Sequence, residues 1–347
     1  MPHFFWPVLV GFCFFSAFSR ADESILVFKD TWQIDYVFGG KLFAAIVDPD
    51  GYLIGQFQKD RPFIANKDGM RFLRPLGRGP GDLESCFGAC FRDGDLVIAE
   101  HYGKIKIFHK EDGEYQWKAS VTRPPEGSHH FVNDLAYYQG KWFIGGFSTY
   151  STTKGLEANH VRVYDEEGKF LTSLVNLPVE NRMKSYQLMD YHLRQKGSRL
   201  YFLRDEALVV YVIDAAKPAL TQTVELQRPR FYKEIPDETY VDKKRRGLSG
   251  FEERLVNWRL SYSSIVNVAV TDQTLVLQLR TLNPRMKRFA LLFYDLDDFE
   301  LKTTYEIDDL LITNDGDRFY FFRGGVPGID DDAGEFIVDI YQIGRGL

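Results

Sequence analysis

The chain has 347 residues, a net charge of −6 and 15% aromatic residues. That length exceeds what one hydrophobic core normally holds, so either two domains or one closed modular array is expected; the 29 glycines, set among β-branched and aromatic runs, favour an array of short strands. The acidic balance disfavours nucleic acid as a partner, because a duplex-binding surface needs a basic excess.

Residues 4–18, FFWPVLVGFCFFSAF, form one uncharged and mostly apolar run. It is about five residues short of a bilayer span, so a retained membrane anchor is the weaker reading and no stable span is predicted. Ser19 and Ala21 occupy the two positions that signal peptidase reads before Asp22. Residues 1–21 are therefore predicted to be a secretory signal peptide. Residues 22–347 are predicted to be one folded unit that is exported, periplasmic or extracellular, carrying 42 basic against 49 acidic side chains. Cys13 follows the bulky Phe12, which argues against lipid modification. Cys86 and Cys90 remain, and on one continuous strand their Cα atoms would lie roughly 13 Å apart, beyond disulfide reach. They read as two small, half-buried side chains.

Along the rest of the chain one unit repeats: an apolar strand, a tight turn, a second apolar strand, a variable loop, a third strand, a turn and a fourth strand. Its clearest copy is FGACFRDGDLVIAEHYGKIKIFHKEDGEYQWKAS, with Asp93-Gly94 and Asp112-Gly113 as type I′ hairpin turns. The first-hairpin signal recurs at Gly51, Gly94, Gly140, Gly197, Gln273 and Gly316, at intervals of 43, 46, 57, 76 and 43 residues. Six units follow. The sixth ends after its third strand, and SILVFKDTWQI, residues 24–34, is the segment predicted to supply its fourth. The predicted fold is an all-β, six-bladed propeller of four-stranded blades, closed by this N-terminal strand so that no long edge is left open. The long fourth interval holds an insert at about 228–262. Within it a capping box, Ser249 with Glu252, precedes Phe251, Leu255, Trp258 and Tyr262 at helical spacing, so a short helix is predicted between blades 4 and 5.

The run of blades, the leader and GRGPGDL at residues 77–83 resemble the bacterial exported six-bladed propeller proteins of the NHL/TolB-like type. The resemblance covers residues 24–347. It implies an exported binding propeller, and the departure from the pattern is the insert.

GRGPGDL is not a phosphate loop, since a P-loop needs Gly-Lys-Ser/Thr where residues 81–83 are Gly-Asp-Leu. It reads instead as the crossing from blade 1 to blade 2, with Gly77, Gly79 and Gly81 permitting unusual φ values and Asp82 capping exposed amides. Arg78 is a candidate ligand-binding residue, because a glycine-flanked guanidinium could grip a carboxylate. Around the channel mouth, residues 100–104, 147–160, 280–288 and 323–335 read as loops on the ligand-bearing face. His129, Asn133, Asp134, Asp190 and Asn267 are the candidate channel-lining ligand residues.

Asp134 and Asp190 are the candidate metal ligands, and a divalent cation is the one cofactor such a ring could hold. The same two carboxylates could instead hydrogen-bond backbone amides between blades. IDDDAGE, residues 329–335, lacks the ligand spacing of a calcium loop. The sequence contains no Gly-x-Ser-x-Gly elbow. The reading that results is a ligand-binding or protein-interaction module without catalysis, its partner a protein or small molecule left unnamed. A lactonase-like, metal-dependent hydrolase or lyase is the alternative.

Overall fold

The computed structural model describes residues 25–38, 42–57, 61–73, 79, 81–83, 85–100, 104–122, 131–152, 155–178, 190–235, 257–258, 260–323 and 334–344. They form six four-stranded antiparallel sheets. Blade 1 comprises β2 (Leu42–Val47), β3 (Leu53–Phe57), β4 (Phe63–Asn66) and β5 (Gly69–Phe72). Blade 2 comprises β6 (Gly88–Arg92), β7 (Asp95–Ala99), β8 (Lys104–Glu111) and β9 (Glu114–Thr122). Blade 3 is β10 (Phe131–Tyr138), β11 (Lys141–Thr152), β12 (Gly155–Asp165) and β13 (Phe170–Pro178). Blade 4 is β14 (Tyr191–Lys196), β15 (Arg199–Arg204), β16 (Val209–Asp214) and β17 (Ala219–Glu225). Blade 5 is β18 (Ile265–Val270), β19 (Thr274–Arg280), β20 (Phe289–Asp295) and β21 (Leu301–Ile307). The last sheet joins β22 (Leu310–Asp315), β23 (Arg318–Arg323) and β24 (Gly334–Ile343) to β1 (Leu26–Phe38), with Leu26 opposite Ile343 and Ile34 opposite Phe336. Each inner strand packs against the next, β2, β6, β10, β14, β18 and β22 in turn, and β22 packs against β2. The molecule is a six-bladed β-propeller.

Period-two alternation builds the seams between blades, because successive side chains of a strand leave opposite faces of its sheet. In β19, Leu275, Leu277 and Leu279 join the core shared with blade 4, whereas Val276 joins the core shared with blade 6. Every seam has such a cluster, and both faces of each sheet are buried. The turns carry the predicted chemistry. Asp93 and Gly94 adopt φ of 49° and 87°, and Asp112 and Gly113 adopt 50° and 78°, the positive pairs of a type I′ turn. The fifth first-hairpin turn lacks glycine and works by another route: the Thr271 hydroxyl accepts the N–H groups of Gln273 and Thr274 at 3.3 and 3.1 Å.

The helix predicted within the insert falls mostly outside the described residues; of its span, Asn257 and Trp258 have helical backbone. The predicted cap at Ser249 lies outside the described residues. On either side the insert is held by irregular contacts: the Lys233 carbonyl accepts the Ser263 N–H at 2.9 Å, and Trp258 packs on Tyr262 and Ile235. Trp258 and Tyr262, two of the residues at helical spacing, thus form a small satellite core. One expectation is corrected: residues 147–152 and 155–160 are not a loop. They continue β11 and β12 as a paired ladder, Ser148 opposite Asn159 through Thr152 opposite Gly155, which satisfies the backbone of a Ser/Thr-rich stretch that reads as polar loop. The proposed leader, residues 1–21, lies outside the described residues. Among those described, no helix is long and apolar enough to cross a membrane.

Candidate functional site

Tight hairpin turns put one end of every blade on a turn face, and the longer connections put the other end on a loop face. The candidate residues were placed at the loop end of the inner strands. Arg78 and His129 lie outside the described residues. Asn133 and Asp134 lie on β10, Asn267 lies on β18, and Asp190 immediately precedes β14.

The structure brings two of them together through a residue that the sequence reading passed over. The Asp134 carboxylate accepts the Leu135 N–H at 2.9 Å and, across the seam, the Leu193 N–H at 3.0 Å; it also pairs with the Arg194 guanidinium. Arg194 continues into the next blade, donating to the Val268 carbonyl at 2.7 Å and to the Asn267 side-chain oxygen at 2.9 Å. The Asn267 amide nitrogen then donates to the Leu311 and Ile312 carbonyls of blade 6 at 2.8 and 2.9 Å. One polar belt thus runs through the inner strands of blades 3, 4, 5 and 6. Burial pushes the Asp134 carboxyl up, against the opposing pull of Arg194 and the two amides. Both of its oxygens are engaged, so in this geometry Asp134 ties blades together. Asp190 is placed apart from the belt, and its carbonyl accepts the Asp205 N–H at 3.1 Å. Among the described residues no group of three or more His, Cys, Asp or Glu is arranged to hold a metal ion.

Gln278 makes a second tie of the same kind, donating to the Asp309 carbonyl at 2.7 Å and accepting the Leu311 N–H at 2.8 Å. Gln56 accepts the Cys86 N–H across the seam of blades 1 and 2. The Cys86 thiol is buried, which pushes it up to about 12, so it remains a thiol at neutral pH and is a poor nucleophile.

The glycine segment is anchored from below. Asp82 accepts the Gly79 N–H at 3.0 Å, the predicted cap, and the buried Lys106 ammonium donates to the Asp82 carbonyl while lying 3.3 Å from Glu100. Space is short at Gly79 and Gly81: a Cβ would meet the Asp82 carboxylate at 2.7 Å and the Trp117 Cβ at 3.2 Å respectively.

Polar groups that the sequence reading missed gather at the loop end of blades 3 and 4. His160 on β12 is only 2% exposed, with the Gly146 backbone as its polar neighbour. Phe147, Tyr191 and Phe202 surround it, with ring centroids 6.0, 5.2 and 5.8 Å away. Burial pulls its pKa down to about 3, and the nearby Arg204 charge adds to the effect. A β-bulge places Gly146 and Phe147 opposite this position. On the other side of the strand Val175 has φ of 55°, a strained value for a β-branched residue. Arg204, at the end of β15, pairs with Glu206 at 2.7 Å. The sequence signal for these residues was weak, a charged residue terminating an apolar strand.

No protein-family model matches this chain, and no curated protein matches it. Solved structures do. A putative exported protein (BF0058) from Bacteroides fragilis NCTC 9343 superposes with a TM-score of 0.56 at 12% identity, over 93% of this chain and 97% of that one. The β-propeller domain of Myceliophteria thermophila Cps50 (Swd1) gives 0.45 at 11% identity, over 89% and 99%. At 12% identity the likeness to the first of these extends to the fold alone.

Proposed function

We propose that this chain is an exported propeller of the NHL/TolB-like type that binds a small molecule or a partner protein through its loop face, without catalysis. The observation that supports this most is the polar belt. Asp134, Arg194 and Asn267 spend their hydrogen-bonding capacity on neighbouring blades, which is what a rigid platform needs and leaves recognition to the loop end of the ring. The signal-like leader and the exported neighbour support export.

Capture of a defined partner or ligand by the purified protein tests this reading. Shortening the 147–160 hairpin should abolish capture, whereas substitutions on the turn face, such as Asp298→Ala, should leave it intact. Equal capture by both variants would refute it. Metal analysis tests the hydrolase or lyase alternative: one equivalent of divalent cation, lost in Asp134→Ala, would replace the binding reading with the enzymatic one.

A further inference from the structure

Resting on the export proposed above, we infer that the fold sets when the leader is removed: the Ala21–Asp22 bond is cut before β1 takes its place as the fourth strand of the last sheet, so cleavage precedes completion of the propeller. The bond and the folded ring are too close for the reverse order. Between Ala21 and Ile25, whose carbonyl accepts the Gly344 N–H at 2.9 Å, stand Asp22, Glu23 and Ser24. Three extended residues reach about 11 Å at most. A protease draws an extended stretch on both sides of the bond into its cleft, so cleavage of the finished ring needs the start of β1 to come away from β24.

Packing opposes that opening along the whole strand. Leu26, opposite Ile343, is buried in the core shared with blade 5, whereas Trp32 and Ile34 are buried in the core shared with blade 1, so β1 belongs to both seams of its sheet. Trp32 lies against Tyr320 with ring centroids 5.6 Å apart. The Thr31 hydroxyl donates to the buried Asp339 carboxylate at 2.6 Å, and Arg323 grips the same carboxylate from β23 at 2.6 and 2.7 Å. Peeling the first residues of β1 away therefore uncovers apolar surface, and peeling as far as Thr31 also breaks a charge-assisted tie.

The chain's own order supplies the time for cleavage. Thr31 and Asp339 are 308 residues apart, and β24 is the last strand in the sequence. The leader's one arginine is Arg20, so it lacks the arginine pair of a twin-arginine signal, and the chain crosses as an unfolded thread with β1 ahead of β24. Until β24 follows, β1 has no strand to pair with and the bond beside it stays within reach. The step is hydrolysis: a signal peptidase adds water across the bond between the Ala21 carbonyl carbon and the Asp22 nitrogen, leaving a carboxylate on Ala21 and an amine on Asp22.

The test uses the full-length precursor, refolded in detergent, beside a variant with about eight Gly/Ser residues inserted between Ser24 and Ile25, each treated with purified signal peptidase. The two should melt within a few degrees of each other, and the folded parent should be cleaved at least tenfold more slowly than the insertion variant. Equal rates would overturn the inference and leave export standing. Pulse-labelling in exporting cells gives a second readout that needs no refolding: leader loss should come before the exported chain becomes protease-resistant. Resistance gained first by chains that still carry the leader would overturn the order. A leader that stays on in both precursors and in cells would overturn the export reading, and the inference with it.

Discussion

Replacing Gly88 with alanine adds one methyl group where two inner strands of the ring approach closely. Gly88 opens β6, the inner strand of blade 2, and a Cβ there would meet the backbone of β10 in blade 3: Asp134 C at 2.7 Å, Leu135 N at 2.8 Å and Asp134 Cα at 2.9 Å. These are backbone atoms of a strand already held by Asp134 to Leu193 and Arg194, so no side chain can swing aside. Relief to ordinary contact needs the two inner strands to part by about half an ångström or more, and overpacking of this kind costs about 1–3 kcal/mol, here at the upper end. With an unfolding entropy of about 2.1 cal/mol/K per residue, a chain of this size loses about 4 °C in Tm for about 3 kcal/mol. Differential scanning calorimetry measures it. The same substitution at Gly113, which has no atom within 4 Å of a Cβ and φ of 78°, isolates the backbone term at about 1 kcal/mol. A Gly88→Ala protein that melts within 1 °C of the parent would show that β6 and β10 do not approach as described, and the account of the ring's packing would fail with it.

Four further outcomes are expected. Arg194→Met leaves the Asp134 carboxylate buried without its cation and should destabilise by about 3–5 kcal/mol, read by denaturant unfolding. Asp48→Ala removes the buried partner of the Lys110 ammonium, 2.6 Å away, and of the Tyr115 hydroxyl, 2.9 Å away, leaving Asp50 on the lysine, and should lower Tm by about 1–4 °C for about 1–3 kcal/mol, whereas Asp50→Ala on the exposed side of the same lysine should change it little. Gly79→Val should displace the Asp82 carboxylate from the Gly79 amide and cost about 1 kcal/mol in Tm measurements, less than Gly88→Ala, because a side chain rather than a backbone must move. His160 gives a pH dependence. Its folded pKa of about 3 lies below the unfolded 6.5, so its neutral form stabilises the fold above pH 6.5 and that contribution is lost as pH falls toward 3. At pH 4.5 the loss is about 3 kcal/mol, and His160→Phe, whose ring suits the aromatic surroundings, should be free of it in acid-unfolding curves.

How much of this was legible beforehand differs from element to element. The hairpins at Asp93-Gly94 and Asp112-Gly113 were readable because a type I′ turn demands positive φ from two adjacent residues, a requirement local to the dipeptide. The helix predicted from Ser249 was a local inference of the same kind, and most of its span lies outside the described residues; that Trp258 and Tyr262 pack with Ile235 in a small core of the insert is a contact that spacing alone could not name. Residues 147–160 misled for the opposite reason, since their polar composition is that of a loop and only the opposing strand makes them a ladder.

The candidate site divides along the same line. Asp134 and Asn267 stood out as polar residues in inner strands, but Arg194, which joins them, is 60 residues from one and 73 from the other. The sequence by itself determined the number of units, the alternation that buries both faces of every sheet, and the turns, because period and φ preference act over a few neighbouring residues. Tertiary structure alone decided which charge meets which, that Gly88 must leave room for Asp134, and that His160 sits among the rings of Phe147, Tyr191 and Phe202. Those outcomes depend on which strands the closed ring sets side by side, and Coulomb and steric forces act through that space without regard to distance along the chain.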